Sequence, residues 1–177
     1  MGEPTGVGAS TEQLDPHDAQ AQAAIKKYTL WAMGLGIIPL PIVDVVAVTG
    51  VQLKLLSELA KEYGQQFSES WGKSVLGSLV GGVGATELAY GTFGSLVKAI
   101  PGVGTLFGMV AMPAMAGATT YAVGKVFQMH FASGGTMLDF NVEKMRQHYE
   151  QHLQEGVRRA EGANAARSRS SGSVSSV

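Results

Sequence analysis

The chain has 177 residues and a formal net charge of −1, and only 15% of its residues are charged, against about 25% in ordinary soluble domains. That length suits one domain with a sizeable core, the near-neutral balance leaves no electrostatic footprint for nucleic acid, and the absence of cysteine excludes disulfides, thiol catalysis and cysteine-held zinc. Glycine is in excess, at 24 residues, nearly twice the usual share of about 7%, with no collagen-like period.

Residues 1–16 are polar and hold Gly and Pro, which predicts a flexible leader. They lack the basic and apolar regions of a cleaved signal peptide. One domain is expected over 17–160. Its first helix begins near Asp18, with Ile25, Tyr28, Ala32 and Leu35 on one apolar stripe. The stretch "IIPLPIVD" then breaks it, because Pro39 and Pro41 cannot donate backbone hydrogen bonds and push their predecessors out of the α region. Asp44 is placed to cap the next helix. On that helix Val48, Gln52, Leu55, Leu59 and Tyr63 share one face, Lys54 and Glu58 are spaced to pair, and Gly64 is a natural C-cap. The two helices and their proline corner read as an αα-hairpin.

Residues 74–97 are apolar or small with Glu87 as the single charge, and 105–124 form a second uncharged segment interrupted by Pro113. Six glycines, Gly77, Gly81, Gly82, Gly84, Gly91 and Gly94, lie in the first of these. Each costs a water-exposed helix about 1 kcal/mol relative to alanine. In a bilayer, small residues instead let helices approach closely, and Gly77-xxx-Gly81 and Gly104-xxx-Gly108 have the close-packing spacing. Each segment has about the 20 residues that cross roughly 30 Å of hydrocarbon. The expectation is therefore a membrane-inserted hairpin over 74–124, with Gly77, Gly81, Gly84, Gly104 and Gly108 as helix-packing positions. The opposing reading is a bundle with a glycine-packed core, supported by a mean hydropathy of only +0.12. Glu87 near mid-span would cost about 2.5–3.5 kcal/mol at the bilayer centre, so it should face a partner helix or water. A phosphate loop is excluded: Gly102, Gly104 and Gly108 are followed by no Lys-Ser/Thr and preceded by no strand pattern.

A final amphipathic helix is expected over 136–159, with Leu138, Val142, Met145, Tyr149 and Leu153 on one side, followed by a Ser/Ala/Gly-rich tail over 161–177 that reads as disordered. His148 and His152 are one turn apart, but only Glu155 stands near as a third metal ligand, so a solvated helix face is the reading. Spacing supports no nucleophile–base arrangement. No catalytic, cofactor or metal residue is assigned.

The motif "IIPLPIVDVVAVTGVQLKLLSELAKEYG" with the later "KAIPGVGTLFG" resembles the bacterial domain-of-unknown-function family numbered 697, which includes YcjF-like, GTPase-associated membrane proteins. The resemblance is carried by Pro39, Pro41, Asp44, Gln52, Leu59-Ala60, Tyr63-Gly64 and Ile100-Pro101-Gly102, over roughly 20–130. It implies membrane association and a GTPase partner, and supplies no reaction.

The combined expectation is an all-α protein: two helical hairpins, the second glycine-rich and membrane-inserted, plus a C-terminal amphipathic helix. Its function reads as a non-enzymatic structural or adaptor protein of the bacterial inner membrane, with cytoplasmic termini by the positive-inside bias, self-associating through glycine-faced helices. The alternatives are a soluble or peripheral module docking on a GTPase and, third, an ion- or proton-conducting membrane protein.

Overall fold

The computed structural model describes the backbone of residues 15–35, 41–90 and 104–172, and side chains over 15–35, 46–82 and 113–160 and at 162. Five helices are present there and no strand: α1 (Pro16–Leu35), α2 (Pro41–Glu62), α3 (Glu69–Tyr90), α4 (Gly104–Ala132) and α5 (Val142–Gly172).

Each boundary has a local cause. Proline opens α1 and α2, where its missing N–H would have had no partner. Because α2 starts at Pro41, Asp44 is not the cap expected of it but a residue of the first turn, where an acid suits the helix dipole. Gly64 ends α2 as anticipated: its φ is +66°, and Gln65 N donates back to Ala60 O at 2.7 Å. Gly134, with φ +83°, repeats the device after α4, with Gly135 N donating to His130 O at 3.0 Å. Residues 133–141 are therefore a turn, and the last helix starts later than 136. Asn141 Oδ1 caps it by accepting from Lys144 N at 3.0 Å. Leu138, expected on the apolar side of that helix, lies in the turn and is 96% exposed. The helix also continues to Gly172, into the segment read as disordered, where Ala160, Ala163, Ala165 and Ala166 favour helix.

The bundle forms around the second half of α4, which packs against α1, α2 and α5. Val123, Val126 and Phe127 are wholly buried there, as are Leu55, Leu56 and Leu59 of α2 and Leu79 of α3; full burial of each such side chain is worth about 1.5–3 kcal/mol. α3 packs on α2 and α5, with Trp71 set edge-on to Phe127 and Phe140. Phe127 stacks flat on Phe140 at 4.3 Å between centroids.

This arrangement corrects the expected bilayer span over 105–124. α4 does not end at Gly124 or break at Pro113 but runs on to Ala132. Its residues Ala116, Ala118, Thr120, Ala122 and Val123 are buried in the bundle, so their apolar surface is covered by other helices rather than by lipid. Among the described residues, no helix is long and apolar enough to cross a membrane.

Candidate functional site

Contacts along the helices set their direction. From the α4 start toward its end, Gly117 faces Met33, Gly124 faces Ile25 and Leu55, and Gln128 reaches Asp18. α4 therefore runs antiparallel to α1. Tyr63 donates to Asp18 Oδ1 at 2.6 Å and Tyr28 to Glu58 Oε2 at 2.7 Å, so α2 is antiparallel to α1 as well. Gly156 lies on Ala118 and His152 on Tyr121, which fixes α5 antiparallel to α4. One end of the bundle thus gathers the end of α1, the start of α2, the start of α4 and the end of α5.

That end has an uncovered apolar surface. Leu30 and Trp31 of α1 are 58% and 65% exposed, and Val46 of α2 is 70% exposed. Trp31 and Tyr28 line an apolar groove of about 500 Å³ with Ala47, Gly50 and Val51, flanked by Lys27 and Lys54.

Below it lies a layer of positive charge. A Cβ on Gly124 would sit 2.7 Å from Ile25 and 3.1 Å from Leu55, so these three residues occupy one cross-section of the bundle. Lys26, Lys54 and Lys125 are their immediate chain neighbours. Among the described residues, Lys26 and Lys54 make no ion pair, while Lys125 donates to Gln128 Oε1 at 2.9 Å. Arg159 of α5 stands over the Tyr121 ring, 4.9 Å from its centroid, and is bound by Glu155 through Nη2 at 2.6 Å.

Two carboxylates are held within this cationic surround. Glu58 was spaced to pair with Lys54 on its own helix, but α1 takes it instead: Lys27 Nζ lies 2.8 and 2.9 Å from its two oxygens and Tyr28 donates as well. Burial pushes the Glu58 carboxyl up, and these hydrogen bonds outweigh it, holding the group below its ordinary value. Burial, then the Glu58 hydrogen bond, raises the Tyr28 phenol. Glu155 behaves likewise: burial acts upward, and hydrogen bonds from Arg159, His152 and Tyr121 bring it down.

The residues singled out in the sequence fall in different places. Gln52 is 4% exposed and reaches the hydroxyls of Thr119 and Thr120 at 3.4 Å, so it links α2 to α4. Leu59 and Ala60 are core, and Tyr63 joins α2 to α1. These motif residues hold the bundle together. Gly77 and Gly81 are on α3, and a Cβ on either would meet no atom of the described residues within 4 Å. Gly84, Asp44 and Glu87 belong to helices, as do Gly104 and Gly108, but their side-chain surroundings lie outside the described residues, and Pro39 and the motif Ile100-Pro101-Gly102 lie outside them entirely. His148 is exposed. His152 is bound to Glu155 at 3.2 Å. Among the described residues, no three His, Asp or Glu side chains are grouped to hold a metal.

Among the described residues, the glycines in close contact include Gly117 and Gly124 on α4, Gly156 on α5 and Gly72 on α3, whose Cβ would lie 2.9 Å from Leu53. The signal was available, since Gly117 and Gly124 are seven residues apart on one helical face and α1 offers Ala21, Ala24 and Ala32. The exposed Leu30 and Trp31 beside Lys26 and Lys27 were also legible as adjacent pairs.

A "Magnetosome membrane protein 22" from Magnetospirillum gryphiswaldense is 40% identical to this chain over 153 residues, covering 86% of the chain and 78% of the relative. No solved structure matches the chain. The model of one bacterial family matches residues 5–158, which takes in four of the helices, the turn after α4 and most of the fifth helix, and the chain belongs to that family, described as a domain of unknown function (DUF697).

Proposed function

We propose that this protein is a non-enzymatic, membrane-associated structural or adaptor protein. It meets the bilayer with the end of the bundle that bears Leu30, Trp31 and Val46, and self-associates through the outward glycine face of α3. The observation that carries the reading is the stacking of two layers at that end. Three apolar side chains that are 58–70% exposed stand above Lys26, Lys54 and Lys125. Tryptophan and leucine settle at the boundary between headgroups and acyl chains, and lysines just outside it are drawn to anionic lipid by about 1 kcal/mol each. With a rise of 1.5 Å per residue, four residues of α1 separate Leu30 from Lys26 by about 6 Å, the depth of a headgroup layer. The name of the magnetosome membrane relative supports the same location.

Gly77 and Gly81 support the second part. They are one turn apart, outward-facing, and open to a helix from another copy approaching closely. An inner-membrane location with cytoplasmic termini belongs to the same reading, because Lys26, Lys54 and Lys125 suit the anionic cytoplasmic leaflet.

The test is fractionation of the full chain. Membrane-associated protein should float with anionic lipid vesicles and sediment with membranes. Protein found wholly in the supernatant at low salt would overturn the reading.

A peripheral module that docks on a GTPase is favoured by one observation at the opposite end. There Gly64, Phe67, Trp71, Met137 and the 96% exposed Leu138 line a groove of about 610 Å³. Failure to float with protein-free lipid vesicles, together with pulldown of a GTPase dependent on Leu138, would select it over direct lipid contact.

A further inference from the structure

A second groove, of about 510 Å³, runs down the side of the bundle between α1, α4 and α5. Its top is Leu30, in the exposed apolar end. Its walls carry Lys26, Lys125 and Arg159, and Tyr121 and Thr29 complete it. Three cations face one cleft; among the described residues Glu155 pairs with Arg159, while Asp18 is linked to Lys125 only through Gln128. That leaves the cleft positive.

The donors are held in place. Arg159 is oriented by Glu155, which accepts from Nε at 3.1 Å and Nη2 at 2.6 Å, and by the Tyr121 ring beneath it. This leaves guanidinium N–H groups unused by Glu155. Lys125 uses one N–H on Gln128, and its ammonium has two more. Lys26 makes no ion pair among the described residues. A further polar group lacks a partner: the Thr29 hydroxyl is buried and makes no hydrogen bond, though a helical threonine can ordinarily bond the carbonyl a turn back. Such orphaned groups are rare in folded proteins.

We propose that this groove binds the phosphate-bearing headgroup of an anionic phospholipid, with Lys26, Lys125 and Arg159 on the phosphate and the acyl chains leaving past Leu30. Phosphate chemistry fits because two ammonium groups and a forked guanidinium converge on one cleft. A lipid rather than a free ion fits because the groove opens at its top onto the exposed Leu30 and Trp31. The inference rests on the membrane reading given above.

The test uses the full chain in non-ionic detergent, titrated calorimetrically with short-chain dihexanoyl-phosphatidylglycerol, its phosphatidylcholine counterpart and inorganic phosphate. Phosphatidylglycerol should saturate a single site and bind at least about tenfold more tightly than the other two, and Lys26→Gln with Lys125→Gln should weaken it at least about tenfold. Lys61→Gln with Lys144→Gln, which removes the same charge at the opposite end of the bundle, should change it less than about threefold. Equal losses from both pairs would overturn the groove and leave diffuse charge attraction. Inorganic phosphate binding as tightly as the lipid would overturn the lipid assignment. Vesicle flotation in parallel separates the two ideas: wild-type protein that floats while K26Q/K125Q binds lipid normally overturns the groove alone, and wild-type protein that does not float overturns both.

Discussion

Helices α3 and α4 are both rich in glycine, and the bundle treats Gly77 and Gly81 of the first and Gly117 and Gly124 of the second in opposite ways. On α4, Gly117 and Gly124 let the backbone lie against α1, and a Cβ at either would collide with Met33 or Ile25. On α3, Gly77 and Gly81 face open space among the described residues. The same residue is a packing requirement at Gly117 and Gly124 and an intrinsic helix cost, with no contact among the described residues, at Gly77 and Gly81. Glycine content therefore shows that a close approach is available somewhere, and only the neighbours show where it is used.

The largest effect should come from filling the α4 contact. Gly124→Val forces Ile25 and Leu55 aside and should destabilise the bundle by about 1–3 kcal/mol, lowering Tm by about 2–4 °C for each kcal/mol. An unchanged melting curve would mean that the Ile25–Leu55–Gly124 layer can open freely, and the comparison would collapse.

The α3 pair should respond with the opposite sign. Gly77→Ala with Gly81→Ala should raise the stability of the monomer, by up to about 1 kcal/mol per site. Gly77→Leu with Gly81→Leu should leave the fold intact and shrink the assembly seen in light scattering. If those leucines leave the assembly size unchanged, self-association uses another surface.

A smaller and pH-dependent effect is expected at Glu58, which clips α1 to α2 beneath the apolar end. Its carboxyl is depressed when folded, so the stability it adds is present above the unfolded value near 4.5 and disappears as pH falls through the lower folded value. Glu58→Gln should cost at most about 1 kcal/mol at pH 7, since the pair is half exposed and screened. The gap between variant and wild type in denaturant melts should close on acidification toward pH 3. A gap that persists there would assign the loss to packing rather than charge.

Trp31→Ala should have the least effect on folding, within about 0.5 kcal/mol, because the side chain is 65% exposed. Its consequence should appear in vesicle flotation, where the bound fraction falls. A large drop in Tm would show that Trp31 is structural and remove it from the proposed contact.

Much of this architecture was legible in the chain itself. The stripes Ile25–Tyr28–Ala32 and Gln52–Leu55–Leu59 are buried as their periodicity required, and Gly64 ends α2 with a positive φ. These features depend on residues within a turn or two of each other, so local spacing suffices to read them. The family, too, was readable from the proline corner and the residues after it. The start of the last helix was misplaced because Leu138 matches the 3.6-residue pattern, whereas the Gly134–Gly135 turn and the Asn141 cap act more strongly on the backbone.

Sequence alone determined an all-helical protein, the buried stripes of α1 and α2, and an apolar, glycine-rich middle. Tertiary structure decided what that middle touches. An uncharged segment such as 105–124 has no charged face to orient it, so its pattern cannot distinguish burial by protein from burial by lipid. α4 resolves this through contacts distant in sequence: Ile25, Leu55 and Gly156 close over it from three other helices. The same distant contacts bring Lys26, Lys125 and Arg159 around one groove, an arrangement that no spacing along the chain could reveal.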